Sequence, residues 1–311
     1  MGMVRRIMGI IGTIFIGAIF IVLQSGQAMC APAVTASIKP VHSLVAGVMA
    51  GVGTPNLLVA GAASEHDYAL RPSQAKTLSQ ADLIFWVGPQ LETFLIRPLV
   101  SLAPSAGKIA LSSSAGVRLL PVRNADTLHA LPDATENPQD MHIWLDPDNA
   151  MAMVRAIAQT LQARDPANAA AYVKNATALE VRLLASKNLI RARLAASPPP
   201  PYMVFHDAYQ YFEARFGLRP AAIISLDPEH PPGAGRVQAL RKRIIDAKVA
   251  CVFAEPQFSP RLVHTLTEGT SAQAATLDPL GAELPEGGDM YFSLLDKLVN
   301  ALTGCKVENQ G

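Results

Sequence analysis

The sequence predicts an α/β protein built as two doubly wound lobes joined by one long rigid helix. Three observations carry this prediction. Short apolar runs alternate with helical stretches twice over, once before residue 147 and again after residue 198. One of these runs, within Asp82 to Gly88, is continuously apolar rather than alternating, as a parallel strand covered on both faces should be. Between the two series lies a stretch from Pro166 to Ala196 that is rich in alanine and free of glycine and internal proline. At 311 residues and 50% hydrophobic composition, the chain has enough material for two cores.

The first 28 residues stand apart from this plan. Arg5 and Arg6 form a basic start, Ile7 to Leu23 is an uncharged and mostly apolar run, and small residues follow. This is the pattern of a cleaved export signal, with cleavage after Ala28 or as late as Ala33. The apolar run is a little short for a membrane span of about 20 residues. Met29 fits poorly before a lipid-modified Cys30. Removing two arginines and no acid moves the formal charge from +1 to −1, which gives no basis for nucleic-acid binding. Export also bears on the cysteines. Cys251 and Cys305 remain in the mature chain, and a pair of cysteines in an oxidising compartment reads as one disulfide. Closing a loop of about 55 residues contributes roughly 4 kcal/mol in the chain-entropy picture.

The N-terminal lobe is expected over 34–146. Val34 to Ile38 is a strand and Val41 to Ala50 a helix. Leu57 to Ala60 is the second strand and Pro72 to Gln80 the second helix, with proline at the first helical position, where its missing N–H costs nothing. Asp82 to Gly88 is a third strand, Leu91 to Leu102 a helix, and Lys108 to Leu111 a fourth strand. Residues 118–139 are polar and proline-containing and read as a loop. Linking helices occupy 147–197. Asp146 caps the first, again with proline following. The second carries Tyr172, Ala176, Leu179, Leu183, Ile190 and Leu194 at helical spacing, and about 30 residues of helix reach about 45 Å. Four prolines, Pro198 to Pro201, end it.

The C-terminal lobe, 198–311, repeats the plan. Strands are expected at Tyr202 to Phe205, Ala221 to Ser225, Val249 to Ala254 and Ala274 to Leu277. Helices are expected at Asp207 to Phe216, Arg236 to Ala247, Pro260 to Thr267 and Tyr291 to Thr303.

His66, His142 and His206 each sit where an apolar segment meets a polar turn or cap, the place where α/β folds gather ligands. Three neutral imidazoles and one carboxylate make a closed four-coordinate shell that suits Zn2+. The alternative is three capping or core histidines. Glu65, beside His66, and Asp278, which ends the last strand before Pro279, compete for the fourth place; Asp278 reads equally as a turn cap. Asp67 and Asp207 follow ligand candidates directly and point away from them in extended backbone, which leaves them to orient a histidine or cap a helix. His129, His230 and His264 read as ordinary, and His42 lies near enough to the first strand's end to be noted. Glu255-Pro256-Gln257 ends another strand and reads as part of the cleft wall or as a cap.

Several of these stretches together resemble a known family. They are Ala36 to Pro40, Ser64 to Ser73, Ala81 to Gly88, Met141 to Leu145, Phe205 to Tyr209, Cys251 to Gln257 and Thr276 to Gly281. Over nearly all of the mature chain they resemble the zinc-specific solute-binding proteins of bacterial ABC importers, ZnuA type. The resemblance implies two lobes bridged by a long helix, with metal in the cleft between them. It also implies His66, His142 and His206 as zinc ligands, Glu65 as the fourth in some members, and a disulfide between Cys251 and Cys305. Manganese-preferring relatives carry a carboxylate where this chain has His206 and use the residue matching Asp278, so a histidine at 206 tilts the choice to zinc. The chain departs from the family in one place. Many members have a long loop rich in histidine and acid before the second ligand, whereas the stretch from Leu120 to Asp140 is short and holds only His129.

The expected function is therefore a periplasmic protein that captures Zn2+ and delivers it to the inner-membrane permease of an ABC importer, acting as a monomer and not as an enzyme. A manganese or iron binder of the same fold is the nearest alternative. An exported zinc hydrolase is more distant, because the chain has no HExxH motif and its donors suffice to close the shell.

Overall fold

The computed structural model describes residues 31–124, 138–226, 228–230 and 232–306. The expected leader at 1–28, Cys30, His129 and residues 307–311 lie outside them.

Strand β1 (Val34–Ile38) leads into α1 (Lys39–Val48), followed by β2 (Asn56–Val59), α2 (Pro72–Ser79), β3 (Leu83–Trp86), α3 (Ile96–Ser101) and β4 (Gly107–Ala110). The four strands form one parallel sheet in the order β2-β1-β3-β4. Strands β1 and β3 are buried along their whole length, which explains the unbroken apolar sequence of β3, while β1 also buries the small polar residues Thr35 and Ser37. Helix α1 begins two residues earlier than the sequence suggests, because Pro40 fits the first helical turn. The expected helix at 91–102 is divided into a 3-10 turn, Thr93–Leu95, and the short α3.

The polar stretch 118–139 is not wholly loop. Its ends pair as a small antiparallel ribbon, β5 (Leu120–Pro121) with β6 (Gln139–Asp140). Helix α4 (Pro147–Arg164) then starts on Asp146, whose carboxylate accepts the Asp148 N–H at 2.9 Å. Helix α5 (Ala169–Ala196) has 28 residues, about 42 Å of rise, and buries the six residues that the helical spacing singled out. It packs on α4, α1 and α9 (Met290–Gly304).

The second sheet is built from β7 (Tyr202–His206), β8 (Ala222–Ser225), β9 (Cys251–Ala254) and β10 (Gln273–Thr276), parallel and in the order β10-β9-β7-β8. Helices α6 (Gln210–Phe216), α7 (Ala234–Asp246) and α8 (Arg261–Thr267) connect the strands. Helix α6 starts at Gln210 rather than at Asp207, because the Asp207 carboxylate is bound by an arginine and caps nothing. It ends on Gly217, whose φ of +71° is the left-handed conformation that such a C-cap requires. The outward face of the second sheet packs on α7 and α8 through Met203, Phe205, Ile224, Leu240, Ile244 and Val263. A disulfide joins Cys251 to Cys305, with Cα atoms 6.0 Å apart.

The segment after β10 returns to the N-terminal lobe and fastens the two halves together. Lys39 donates from its buried ammonium to the carbonyls of Gly281, Ala282 and Leu284 at 2.6–2.9 Å. Ser43 donates to the Gly287 carbonyl and accepts the Tyr291 N–H. The Trp144 indole donates to the Pro279 carbonyl at 2.8 Å, and the Tyr291 hydroxyl to the Trp144 carbonyl at 2.6 Å. One large apolar core correspondingly runs from Ile38 and Phe85 through Trp144 and Tyr172 to Tyr291 and Leu295. These ties fix the relative position of the strand ends from which the site is built.

Candidate metal centre

Glu65 and His66 lie in the loop between β2 and α2. Pro72 opens α2, and the Gln74 amide braces the loop behind them by accepting the Arg71 N–H and donating to the Tyr68 hydroxyl and the Leu58 carbonyl. The Ser64 hydroxyl accepts the His66 N–H and donates across the cleft to Glu229. His142 follows β6 by two residues. Asp140 holds it twice, its Oδ1 accepting the backbone N–H at 2.9 Å and lying 2.7 Å from Nδ1 of the ring.

His206 is the last residue of β7, and Glu255 is the first after β9. The chain passes from β7 to β8 on one side and to β9 on the other, so these two strand ends flank the topological switch point where α/β sheets open a crevice. Glu255 lies 2.7–2.8 Å from Nδ1 of His206 through both oxygens.

These supports aim the free edges of the rings at one point. A single donor atom from each of Glu65, His66, His142 and His206 lies within 4.8 Å of all the others. The Nε2 atoms of His142 and His206 are 3.2 Å apart. Glu65 Oε1 stands 3.8 Å from Nε2 of His66 and of His142. In a tetrahedral Zn2+ site, with bonds of about 2.0–2.2 Å, neighbouring donor atoms are about 3.4 Å apart. The donor spacing is therefore that of a small tetrahedral shell. Glu65 Oε1 and His66 Nε2 are buried and have no hydrogen-bond partner. Buried polar atoms left in this state are costly unless something else satisfies them.

The electrostatics differ from residue to residue of the cluster. Burial, aided by the neighbouring His142 and His206, pushes His66 down to about 2, so its ring is neutral. Burial also opposes charge on His206, but the Glu255 carboxylate outweighs it and holds that ring up at about 9. Burial raises Glu65, against the pull of His142 and His206. A dication entering the cluster thus meets one neutral imidazole and displaces a proton from another. A cavity of about 130 Å3 is lined by the three histidines together with Leu91, Val122, Asp140, Met141, Asp207 and Leu226.

The other candidates fall elsewhere. Asp278 is not in the cluster. Its carboxylate accepts the N–H groups of Leu280, Gly281 and Ala282 and the Gln257 amide, so it serves as the cap of the turn before α9. His42 is a buried residue of α1 and bonds the Pro55 carbonyl. His264 lies in α8. Asp67 is exposed, and Asp207 is paired with Arg123. Sequence reasoning gave Asp140 and Arg123 no role and took Glu255 for cleft wall or cap. For Asp140 the available signal was an acid two residues before a ligand candidate; for Glu255 it was a carboxylate at a strand end in the same lobe as His206.

The family described as zinc-uptake complex component A, periplasmic (ZnuA), matches residues 34–305. The high-affinity zinc uptake system protein ZnuA of Brucella abortus is 41% identical over 303 residues, covering 88% of this chain and 91% of that protein. Its counterpart in Yersinia pestis is 36% identical over 293 residues, covering 89% and 92%. Among solved structures, a crystal structure of ZnuA superposes with a TM-score of 0.76 at 24% identity, covering 88% of this chain and 99% of that one. A manganese complex of the binding protein FpvC from Pseudomonas aeruginosa superposes with a TM-score of 0.75 at 21% identity, covering 90% of this chain and 100% of that one. Both superpositions bear on the fold alone.

Proposed function

The chain belongs to the periplasmic zinc-uptake component A family, ZnuA, and on that premise we propose that Glu65, His66, His142 and His206 are the four ligands of the Zn2+ it carries. Within this family the protein is the zinc-binding component of an ABC importer. The observation that carries the ligand assignment is the convergence of one ring nitrogen from each of three histidines and one carboxylate oxygen within 4.8 Å, with two of the rings held from behind by Asp140 and Glu255. Carboxylates on Nδ1 fix the tautomer that leaves Nε2 free to bind metal and make it more basic. Three nitrogens and one oxygen suit zinc better than manganese, which favours oxygen donors.

The four donors close the shell and leave no position for an activated water, so the site fits capture rather than hydrolysis. Release belongs to the inner-membrane permease, to which the protein passes its ion as a monomer. Residues 1–28 direct export and are removed, with cleavage as late as residue 33. Metal analysis of the purified exported protein tests the reading, with zinc and manganese offered in competition. One equivalent of zinc retained against excess manganese is expected. Preferential retention of manganese overturns it.

A further inference from the structure

Arg123 follows β5 on the ribbon whose other arm carries Asp140 and, two residues on, His142. Arg123 is 6% exposed, and its guanidinium reaches across to the C-terminal lobe. There Nε lies 2.9 Å from both oxygens of Asp207, one terminal nitrogen lies 2.5 Å from Asp207 Oδ1, and the same nitrogen lies 2.6 Å from Glu213 on α6. Helix α6 holds the ribbon by uncharged bonds as well. The Tyr211 hydroxyl donates to the Asp140 carbonyl and accepts the Leu120 N–H, and the Gln210 amide donates to the Pro121 carbonyl. The ribbon would keep these contacts without Arg123, so a buried guanidinium needs a further explanation.

Asp207 supplies one. It follows the proposed ligand His206 directly, and it lines the same cavity as His66, His142 and His206. Released from its partner, this carboxylate would be a further oxygen donor beside a cluster that, among the described residues, contains one acid, Glu65. Hard cations such as Mn2+ favour carboxylate oxygen, whereas Zn2+ accepts a nitrogen-rich set. A guanidinium is always charged and binds a carboxylate through two parallel bonds, so it commits both oxygens of Asp207 at any working pH.

We propose that Arg123 is a positioning and selectivity-setting residue, which withholds the Asp207 carboxylate from the metal cavity and so keeps the site nitrogen-rich and selective for zinc over manganese. This rests on the ligand assignment proposed above. The test is competitive titration of wild type, Arg123→Gln, Arg123→Gln/Asp207→Asn and Arg123→Lys with zinc and manganese, with melting temperature followed alongside. Arg123→Gln is expected to lower the zinc-to-manganese affinity ratio by about tenfold or more, the scale seen when groups supporting a metal ligand are lost. Adding Asp207→Asn is expected to restore the ratio, although two of the original charges are then gone. Arg123→Lys should lower the ratio less, because it keeps the charge but not the fork.

A purely structural role would lower the melting temperature and leave the ratio unchanged, and that result overturns the inference. So does a ratio that Asp207→Asn fails to restore. If Arg123→Gln does not fold, the same comparison falls on Arg123→Lys with and without Asp207→Asn, with the same expected directions. Wild-type protein that binds no zinc would instead overturn the ligand assignment itself.

Discussion

His142 and His206 face each other with their Nε2 atoms 3.2 Å apart, while the Nδ1 atom of each is held by a carboxylate, Asp140 for the first and Glu255 for the second. With protons on both Nδ1 atoms, two lone pairs would point at one another, which is repulsive until a proton or a cation stands between them. The raised affinity of His206 for a proton, at about 9, agrees with a proton in that role when metal is absent. On the proposed ligand assignment, zinc capture would then be an exchange of one cation for another.

Removing the ligands should separate binding from folding. His66→Ala, His142→Ala and His206→Ala are each expected to weaken zinc binding strongly, because each opens a shell of four. Their circular dichroism should match the wild type, since none of the rings holds the apolar core together. Wild-type affinity by calorimetry in any two of these variants contradicts the assignment.

The two carboxylates once in competition should have different phenotypes. Glu65→Ala is expected to lower zinc affinity, with little loss of stability in metal-free protein, because its Oε1 has no hydrogen-bond partner there. Asp278→Ala is expected to lower the melting temperature instead. It strips three backbone N–H groups of their acceptor, at about 1 kcal/mol per hydrogen bond lost. The reverse pattern would place Asp278 at the metal.

Much of the fold was legible in the chain because local rules were strong there. Pro72 and Pro147 sit at first helical turns, the prolines from Pro198 onward stop α5, and the burial of Tyr172, Leu179 and Leu183 follows simple helical spacing. The three histidines were legible as residues at strand ends. Their convergence was not, because it depends on how two sheets are set against each other by the ties from Lys39, Ser43 and Trp144. The positioning groups were hidden for the same reason. Glu255 reaches His206 over 49 positions and Arg123 reaches Asp207 over 84, and no local pattern encodes such pairs. Asp207 illustrates the consequence. By sequence it reads as a helix start, but its carboxylate is taken by Arg123 and the helix begins three residues later.

The acids behind the rings should matter nearly as much as the ligands. Asp140→Asn and Glu255→Gln are each expected to lower zinc affinity by about tenfold to a hundredfold while leaving the ligand count unchanged. Glu255→Gln should also remove the influence that holds His206 near 9. Unchanged affinity in both variants would mean that the rings are oriented by packing alone.

The two shifted histidines act on metal-free stability in opposite pH ranges. His66 is held down at about 2, below its unfolded value of about 6.5, so folding excludes a proton there and stability is lost as pH falls below that unfolded value. His206 is held up at about 9, so its contribution is complete below about 6.5 and fades as pH rises through 9. Metal-free protein should therefore melt lower at both extremes, with the alkaline loss reduced in His206→Gln and the acid loss reduced in His66→Gln. Identical pH profiles for wild type and both variants would remove this account.

The same values predict that zinc uptake near neutral pH expels about one proton, from His206. Calorimetry in buffers of different ionisation enthalpy should show a heat that varies with the buffer accordingly. Zinc affinity should also fall steadily as pH drops below about 9, as protons compete for His206. A zinc-induced rise in melting temperature that is equally large at about pH 5 and pH 7.5 would mean that histidines are not the main ligands.

The most direct test of the central claim is the location of the ion itself. A zinc-edge anomalous difference map from crystals of the zinc-loaded protein should show one peak about 2.0–2.2 Å from Glu65 Oε1 and from the Nε2 atoms of His66, His142 and His206, with no fifth ligand. A peak at another place in the cleft, or one coordinated by Asp278 in place of Glu65, would contradict the account.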